Sequence, residues 1–497
     1  MPPQIASAVF IVGIIGLFLL DRDREVRASS ALCLPLMYVW ATSSRSLTEW
    51  LAIFQTGRSP AGVGLPATTY TEGTPLDRHV MIVLMILAII VLVRRGRIVE
   101  LALANLPVVA FLLYGAISAT WSDFPDITIR RWFKAVGCLL IVMVVLSERD
   151  RVAATKRLFV WAGFLLVPPS ILLIKYYPAI GKTDLIVNIS TWVLSPVGVT
   201  THKNSLGLIC QVFGIVFVWH FLAAYRDRQL AHRIRHLIVH GTALAMVVWL
   251  LVQANSVTSQ SSFLLGTAFL VATSVHAIAR RQWLVHLLVI TLIAVPFATL
   301  FLGIGASALE GMGRDSTLTG RTEIWRHVCS LVNNPAVGTG FESFWLGNRL
   351  NVMHDYQLSL NEAHNGYIEI YISLGWVGVF LLAVVIVTGY RNIATCFRRN
   401  PDAGRLRLAY FLIVIVSAFT EAAFRTESIT WTSFLLVTMA TPQDWVPKRV
   451  SSLRVTAEAS ELEKIEPVAV GSSYERPGTR CDAIIRSTPA TACDTTF

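Results

Sequence analysis

Residues 98–119 read IVELALANLPVVAFLLYGAISA, and this stretch decides the fold class. Its one charged residue is Glu100, near the start. A helix needs about 20 mostly apolar residues to cross the hydrocarbon core of a membrane, and this stretch is long enough. The sequence here predicts one continuous transmembrane helix.

Similar apolar runs recur along the chain and predict a multi-pass membrane protein. Of the 497 residues, 54% are hydrophobic and 15% are charged, whereas globular domains carry about 25% charged residues. We predict an all-α, polytopic integral membrane protein with roughly 12 or 13 transmembrane helices in residues 1–441. The other clear runs are Ile5–Leu20, Val80–Val93, Leu237–Val252, Trp283–Ile304, Tyr367–Val387 and Tyr410–Phe419.

The positive charge is concentrated in short blocks at the ends of these runs. The net charge is +11, and Arg94–Arg97, Arg226–Arg235 and Arg398–Arg399 are examples of the blocks. Short loops rich in lysine and arginine face the cytoplasm, so the charge predicts membrane orientation rather than nucleic-acid binding. The connections near 44–78, 120–131, 175–203, 253–261, 305–365 and 424–428 then lie outside. The orientation of the N-terminus and a re-entrant piece at Val187–Val197 stay open.

Two polar regions differ from the spans. Residues 305–365 form one large outer loop, in which an amphipathic helix is predicted from Arg321 to Asn333, followed by flexible hinges at Gly338 and Gly340. Residues 442–497 contain few aromatics and much Ser, Thr, Glu, Arg and Pro. Such a segment cannot bury enough apolar surface to order itself, which predicts a disordered cytoplasmic tail. The seven cysteines form no CxxC pair, which argues against a zinc site or disulfide framework.

His364, where the large loop meets the next span, is the first candidate for chemistry. An imidazole there titrates near neutral pH and could act as a general base toward a hydroxyl. Alternatively, the ring could simply hydrogen-bond the backbone or Glu362. Arg130, Arg131 and Arg321 are arginines on the predicted outer side. They could bind an anionic ligand through their guanidinium groups, or they could reach lipid head groups.

Two further polar clusters lie at predicted outer span ends. Lys203 could contact phosphate and Asn204 could bond a sugar hydroxyl, although both could also cap a helix. Ser259 lies in a hydroxyl- and amide-rich stretch that suits sugars, or that satisfies an irregular backbone. The sequence contains no nucleotide-binding motif, so outer-face chemistry would need an already activated substrate such as a lipid diphosphate.

Four segments in order resemble the O-antigen ligase/polymerase superfamily, and most of all its exopolysaccharide polymerase (ExoQ-type) branch. These are Gly198–Gly207, Leu318–Trp325, Pro335–Phe341 and His364–Glu369, within a similarity over most of residues 80–440. The resemblance implies a GT-C-like glycosyltransferase of the bacterial inner (cytoplasmic) membrane. It would act on the periplasmic side on an undecaprenyl-diphosphate-linked donor, without metal or other cofactor.

The resemblance also implies roles for individual residues. His364 would be the base, and Arg321, Arg130, Arg131 and Lys203 would bind diphosphate. Asn204, Ser259, Asn365 and Tyr367 would contact sugar. Many relatives have a basic residue where this chain has Ser259-Gln260-Ser261, so Lys203 or Arg425 would have to replace it.

The implied partners are a lipid-linked oligosaccharide donor and acceptor, membrane lipids, and the proteins that export the polysaccharide and set its length. Two other functions stay open. One is a ligase, which would transfer polymer to another acceptor by the same chemistry. The other is a transporter or flippase, against which the scarcity of charge at mid-span argues.

Overall fold

The computed structural model describes residues 1–21, 29–57, 74–188, 191–227, 232–302, 321–349 and 362–441. Within these ranges the regular secondary structure is helical except for one short hairpin, which confirms the all-α fold class. The α-helices are α1 Pro3–Leu20, α2 Cys33–Ser43, α3 Leu47–Thr56, α4 Pro75–Arg95, α5 Ile98–Ala104, α6 Leu106–Ile117, α7 Pro125–Leu146, α8 Arg151–Tyr176, α9 Pro178–Gly181, α10 Lys203–Arg226, α11 Arg233–Ala254, α12 Val257–Ser274, α13 His276–Ala279, α14 Gln282–Phe301, α15 Arg321–Ser330, α16 Gly366–Arg399, α17 Pro401–Ser417 and α18 Ile429–Thr438. The predicted tail lies outside the described residues.

The helices confirm a multi-pass membrane protein. Within the described ranges, seven are long and apolar enough to cross a membrane, and an eighth is obtained if the bent pair α5–α6 counts as one span. The prediction of 12 or 13 spans exceeds this number. Helix α7 is long enough, but its first turns carry Arg130, Arg131 and Lys134, and α17 has only 17 residues. Whether these helices also cross the membrane stays a prediction.

The stretch 98–119 is not one continuous helix, so that prediction was wrong. Helices α5 and α6 meet at Asn105 with a bend of 93°. The Asn105 side chain donates hydrogen bonds to the carbonyl oxygens of Leu101 and Ala440 and accepts one from the Ala440 N–H. Pro107 follows in the first turn of α6, where the missing N–H is tolerated. The partner that stabilises the bend therefore lies far away in sequence.

The chain on either side of residues 189–190 forms a two-stranded hairpin, where a re-entrant piece at Val187–Val197 had stayed open. Strands β1 (Lys182–Asn188) and β2 (Thr191–Pro196) pair antiparallel. The base of the hairpin is held by Arg45, whose guanidinium donates to the carbonyl oxygens of Gly198 and Ile180 at 2.9 and 2.7 Å. This contact fixes the start of the segment that leads to His202 and Lys203.

Residues 335–340, within the predicted large outer loop, are anchored to a break in helix α16. Gly375 has φ +62° and ψ −164°, which interrupts the helical hydrogen bonds. Residues of the loop replace them: Thr339 N–H donates to the Ile372 carbonyl at 3.1 Å, and Trp376 N–H donates to the Pro335 carbonyl at 2.9 Å. Gly338 and Gly340 have positive φ and pack tightly in this junction. The expected flexible hinges are therefore a fixed contact between loop and helix.

Replacing Gly375 with alanine should destabilise the protein. Its φ and ψ belong to a region that is essentially restricted to glycine, where other residues cost about 1–3 kcal/mol, and a Cβ atom would lie 2.3 Å from the Ala336 carbonyl carbon. We expect a lower melting temperature of the detergent-solubilised protein. The matched control is Gly13→Ala, because a Cβ at Gly13 meets nothing within 4 Å. Equal melting temperatures for the two variants would contradict this account.

Burial differs strongly between helices. Helices α10 and α8 have 72% and 61% of their apolar windows buried within the protein, whereas α1 and α14 have only 6% and 11%. Helices α17 and α18 are buried along almost their whole length. The connection between α17 and α18 is therefore held at both ends by well-buried helices.

Candidate functional site

Residues 418–428, here called the connecting segment, join α17 to α18 and support the start of α16. The Gly366 N–H donates to the Ala418 carbonyl at 2.8 Å, and the Asn365 side-chain amide donates to the Phe419 carbonyl at 3.1 Å. The aromatic ring of Tyr367 packs against Phe419 and Phe424. The end of the large loop is thereby seated on the connecting segment.

The backbone at His364 is in the left-handed region, with φ +49°. Both neighbours are held: the Ala363 N–H donates to the buried Glu369 carboxylate, and Asn365 Oδ1 accepts from the N–H groups of Tyr367 and Ile368. Left-handed backbone at a non-glycine residue costs about 1–3 kcal/mol and is concentrated at functional sites. The surrounding hydrogen bonds therefore fix where the imidazole lies.

The His364 ring faces two carboxylates. Its Nδ1 lies 2.8 Å from Glu362 Oε1 and 3.6 Å from Glu421 Oε2. Burial lowers the pKa of His364, but the hydrogen bonds and negative charges of Glu362 and Glu421 outweigh burial and raise that pKa to about 9. Burial likewise raises the pKa of Glu362, and His364 with nearby cations lowers it to about 2. At neutral pH the two residues therefore form an ion pair.

Glu421, only 3% exposed, joins residues from three distant segments. Besides contacting His364, its Oε1 accepts a hydrogen bond from Asn204 Nδ2 at 3.3 Å and lies 3.7 Å from a terminal guanidinium nitrogen of Arg321. Arg321 also donates to the Thr420 carbonyl oxygen. The structure thus brings together three of the predicted site residues, namely His364, Arg321 and Asn204.

Helix α15 places Arg321 at this position. The predicted amphipathic helix is confirmed over Arg321–Ser330. Its face of Ile324, Trp325 and Val328 is buried, and Trp325 Nε1 donates to the Ala363 carbonyl at 2.8 Å. Trp325 therefore both packs α15 against the protein and holds Ala363, the residue before His364.

Two more arginines contact the connecting segment or belong to it. Arg425, within the segment, lies 3.4 Å from Glu362 Oε2. Arg131 donates to the Glu342 carbonyl oxygen, and Glu342 Oε1 accepts from the Thr426 N–H at 2.7 Å. Arg131 is therefore connected to the site through Glu342, whereas Arg425 adjoins the His364–Glu362 pair directly.

Arg130 lies elsewhere. Its exposed side chain lines a separate cavity of about 640 Å³ that also contacts α2 and α4. Lys134, one turn further along α7, lines the same cavity and pairs with Glu427 at 3.0 Å. Much of the cavity wall is apolar, with Leu84, Met85 and Ile141 among its residues. The cavity thus combines basic groups with an apolar wall next to the connecting segment.

The remaining predicted residues have mainly structural contacts. Lys203 is half-buried at the start of α10. Ser259 is fully buried against Gly207, and its oxygen accepts from the Ser256 hydroxyl at 3.2 Å. Asn365 caps α16, and the Tyr367 hydroxyl donates to the Ile415 carbonyl at 3.3 Å. Sugar-binding roles for Ser259, Asn365 and Tyr367 stay predictions, as does a phosphate-binding role for Lys203.

His202 adds a neutral group beside the carboxylates. Burial lowers the pKa of His202 and outweighs the opposite effect of Glu362 and Glu421. Its Nδ1 accepts a hydrogen bond from the Asn204 N–H at 3.2 Å, which caps α10 and holds Asn204 toward Glu421. His202 is therefore a positioning residue for Asn204.

The donor atoms of Glu362, His364 and Glu421 lie within 4.8 Å of one another and could hold a metal ion. Imidazole and carboxylate ligands suit several divalent metals. Arg321 and Arg425, however, already bring two positive charges to the same carboxylates. The predicted absence of a metal stays a prediction.

The pKa of His364 gives a pH-dependent prediction. Replacing Glu362 with glutamine removes a main cause of the raised pKa, so the pKa should fall from about 9 toward 6.5. Because the folded-state pKa lies above the ordinary value, the stability that the His364 charge contributes is complete below about pH 6.5 and is lost as pH rises through about 9. Histidine NMR in detergent would measure the shift. An unchanged pKa in Glu362→Gln would contradict the assigned contact.

Comparison with known proteins shows which family this part of the chain is similar to. Residues 245–383 match the family model described as O-antigen ligase. This range contains Arg321 and His364, whereas Asn204 and Glu421 lie outside it.

The exopolysaccharide production protein ExoQ of Rhizobium meliloti (strain 1021) is 22% identical over 296 residues, which cover 56% of this chain and 63% of that protein. The chain therefore covers less than two thirds of this relative's length. Together, the membrane helices, the match over residues 245–383 and this similarity confirm the resemblance to the O-antigen ligase/polymerase superfamily that the four motifs indicated.

Proposed function

We propose that the protein is a polysaccharide polymerase, which joins lipid-diphosphate-linked oligosaccharide repeat units into exopolysaccharide at the periplasmic face of the bacterial inner membrane. The observation that carries the proposal is the convergence of His364, Arg321 and Asn204 on Glu421. This arrangement offers a titratable group, a cation and an amide at one place. The relatives' names support a role in polysaccharide synthesis.

Arginines would stabilise the leaving diphosphate. Guanidinium groups match phosphate oxygens with two parallel hydrogen bonds, and they keep their charge at any physiological pH. Arg321 adjoins Glu421 and Arg425 adjoins Glu362, so each of the two carboxylates beside His364 has an arginine next to it. They would offset the negative charge that develops on the departing diphosphate. In this proposal Arg131 and Lys203 contribute from further out, and neither metal nor other cofactor takes part.

His364 would act on the acceptor. Its Nδ1 is engaged by Glu362 and Glu421, which leaves Nε2 to take the proton of an acceptor hydroxyl. The hydroxyl oxygen then bonds to the anomeric carbon as the bond from that carbon to the diphosphate oxygen breaks, with inversion. Because the pKa is about 9, the neutral form is a minority at pH 7, and we expect the rate to rise with pH toward 9.

The cavity beside α7 would accept the lipid part of a substrate. Its apolar wall suits an isoprenoid chain, and Arg130 and Lys134 are placed to contact a phosphate. Lys134 also pairs with Glu427 of the connecting segment. A lipid bound there would lie next to the segment that carries Glu421 and Arg425.

The test is a profile of lipid-linked intermediates. In a strain that lacks this gene, a polymerase deficiency leaves single repeat units on the lipid carrier, and the wild-type gene restores long polymer. Arg321→Ala should restore far less polymer than wild type at equal membrane levels, because the diphosphate loses a charged partner. Arg326→Ala is the matched control, since Arg326 is exposed on the same helix. Full-length polymer from the Arg321→Ala protein would argue against the proposal.

A ligase is the second candidate, and the description of the matched family as O-antigen ligase favours it. A ligase deficiency would leave finished polymer on the lipid carrier instead of single units, so mass spectrometry of the same extracts separates the two. A transporter would move its substrate with the help of an ion gradient and would not itself extend a lipid-linked oligosaccharide. Extension of a lipid-linked oligosaccharide by purified protein in detergent would exclude transport as the only activity.

A further inference from the structure

A second cluster of titratable side chains lies at the end of α1 and does not belong to the site described above. His236 and His240 come from α11, His220 comes from α10, and Asp21 follows α1. The rings of His220 and His240 are stacked with centroids 4.4 Å apart, and the rings of His236 and His240 are parallel at 5.9 Å. Three imidazoles and a carboxylate thus meet where three helices pack.

Several ring nitrogens in this cluster lack hydrogen-bond partners. His240 is 0% exposed, yet neither of its ring nitrogens makes a hydrogen bond, and the buried Nε2 of His220 makes none. Buried polar atoms are nearly always satisfied, and an exception calls for a specific explanation such as an ion that binds there. The Nδ1 atom of His240 thus has no hydrogen-bond partner among the described residues, and its Nε2 atom has only an ion-pair contact with Asp21.

One pair of donor atoms has the separation expected around a metal ion, and the third donor atom lies close to both. One donor atom each from Asp21, His236 and His240 lies within 4.8 Å of the other two. His240 Nε2 is 3.3 Å from Asp21 Oδ1. Ligand atoms about 2.0–2.2 Å from a tetrahedral ion lie about 3.3–3.6 Å from each other. The 3.3 Å separation therefore equals one edge of such a tetrahedron.

The separation of His236 and His240 in the sequence also suits the binding of one metal ion. His236 and His240 are four residues apart, which places both imidazoles on one face of the helix. This is the spacing by which a helix presents two histidines to a single zinc ion. The carboxylate of Asp21 comes from a different helix, so an ion here would connect two separate elements.

We infer that Asp21, His236 and His240 bind one divalent transition-metal ion of the Zn²⁺ class. Two neutral imidazoles and one carboxylate are a recurrent ligand set for zinc, with water as the fourth ligand. Water can enter past Asp21, whose side chain is 14% exposed. This inference does not depend on the proposed polymerase function.

The ion would stabilise the position of α1. Only Ala6 and Leu17 of α1 are buried, so most of the surface of this helix is not covered by its neighbours. A bond from Asp21 through the ion to His236 and His240 would attach the end of α1 to α11. The expected role is structural, and the loaded protein should melt at a higher temperature than the chelator-treated protein.

Titration with Co²⁺ tests the inference directly. The full-length protein, purified in detergent without a histidine tag and stripped with chelator, should bind about one equivalent of Co²⁺ at this site, with the visible absorption of a tetrahedral complex. Asp21→Asn and His236→Gln should each lose that equivalent and the metal-dependent rise in melting temperature. Asp21 is partly exposed at a helix end, so its variant should fold even if a variant of the buried His240 does not.

Two controls make the loss specific. His79→Gln, at an exposed histidine of α4, should bind as wild type does. Glu421→Gln removes a ligand of the other possible metal cluster, so an equivalent that survives in this variant belongs to the Asp21 site. Absence of Co²⁺ binding by the wild type, or unchanged stoichiometry and spectrum in both Asp21→Asn and His236→Gln, would overturn the inference.

Discussion

Replacing His364 with alanine is expected to lower polymer synthesis by about 10²–10⁴-fold, the usual contribution of a general base. The imidazole is held by Glu362 and Glu421 on one side, and alanine leaves no group to take the acceptor proton. Lipid-linked single repeat units should accumulate in cells, and purified protein should extend them very slowly.

The backbone at His364 requires a control for folding. Because φ is +49° there, His364→Asn is a useful companion variant, since asparagine tolerates left-handed backbone but is not a base. His79→Ala controls for loss of an exposed histidine. If His364→Asn reached the membrane at normal levels and made full-length polymer, His364 would not be the base.

Replacing Glu421 with alanine is expected to impair both activity and stability. The carboxylate is almost fully buried and interacts with His364, Arg321 and Asn204. Removing one partner of a buried ion pair costs about 3–5 kcal/mol, because the other charge is left uncompensated. We therefore expect a clear fall in melting temperature together with loss of polymer synthesis.

Glutamine at position 421 separates the two effects. It retains the shape and a hydrogen-bond acceptor for Asn204 but removes the charge, so it should fold better than the alanine variant and still lose activity. The His364 pKa should also fall, since Glu421 helps to raise it. Glu323→Ala, at an exposed glutamate of α15, is the control. Normal melting and normal activity in Glu421→Ala would contradict the central role assigned to this residue.

The sequence predicted the helices better than their interruptions. The apolar runs located most of the membrane-spanning helices, because the length and the periodicity of an apolar run can be read from the local sequence. The bend at Asn105 depends on Ala440, and the break at Gly375 depends on residues 335–340. Neither partner is close in sequence, so a local reading of residues 98–119 gave one straight helix. The hairpin at 182–196 was missed because its apolar residues also fit a short membrane segment.

The candidate site was predicted in part for a similar reason. His364 and Asn204 could be named because each is a polar residue at a predicted outer span end. Arg321 could be named because it starts the helix predicted within the large outer loop. Glu421 was missed, although one signal existed: it is a lone acidic residue in the stretch Ala418–Phe424. An ionisable residue in apolar surroundings is a candidate for a functional residue. Its importance became clear only from the three contacts that it makes in the fold.

The contact between Asn105 and Ala440 has a consequence for biogenesis. The two residues are 335 positions apart, and at about 5–20 residues per second the ribosome needs roughly 20 to 70 s to make the intervening chain. Throughout that time the amide of Asn105 lacks the Ala440 backbone groups that it will finally bind. The bend between α5 and α6 therefore acquires this partner only after the chain has been made as far as Ala440.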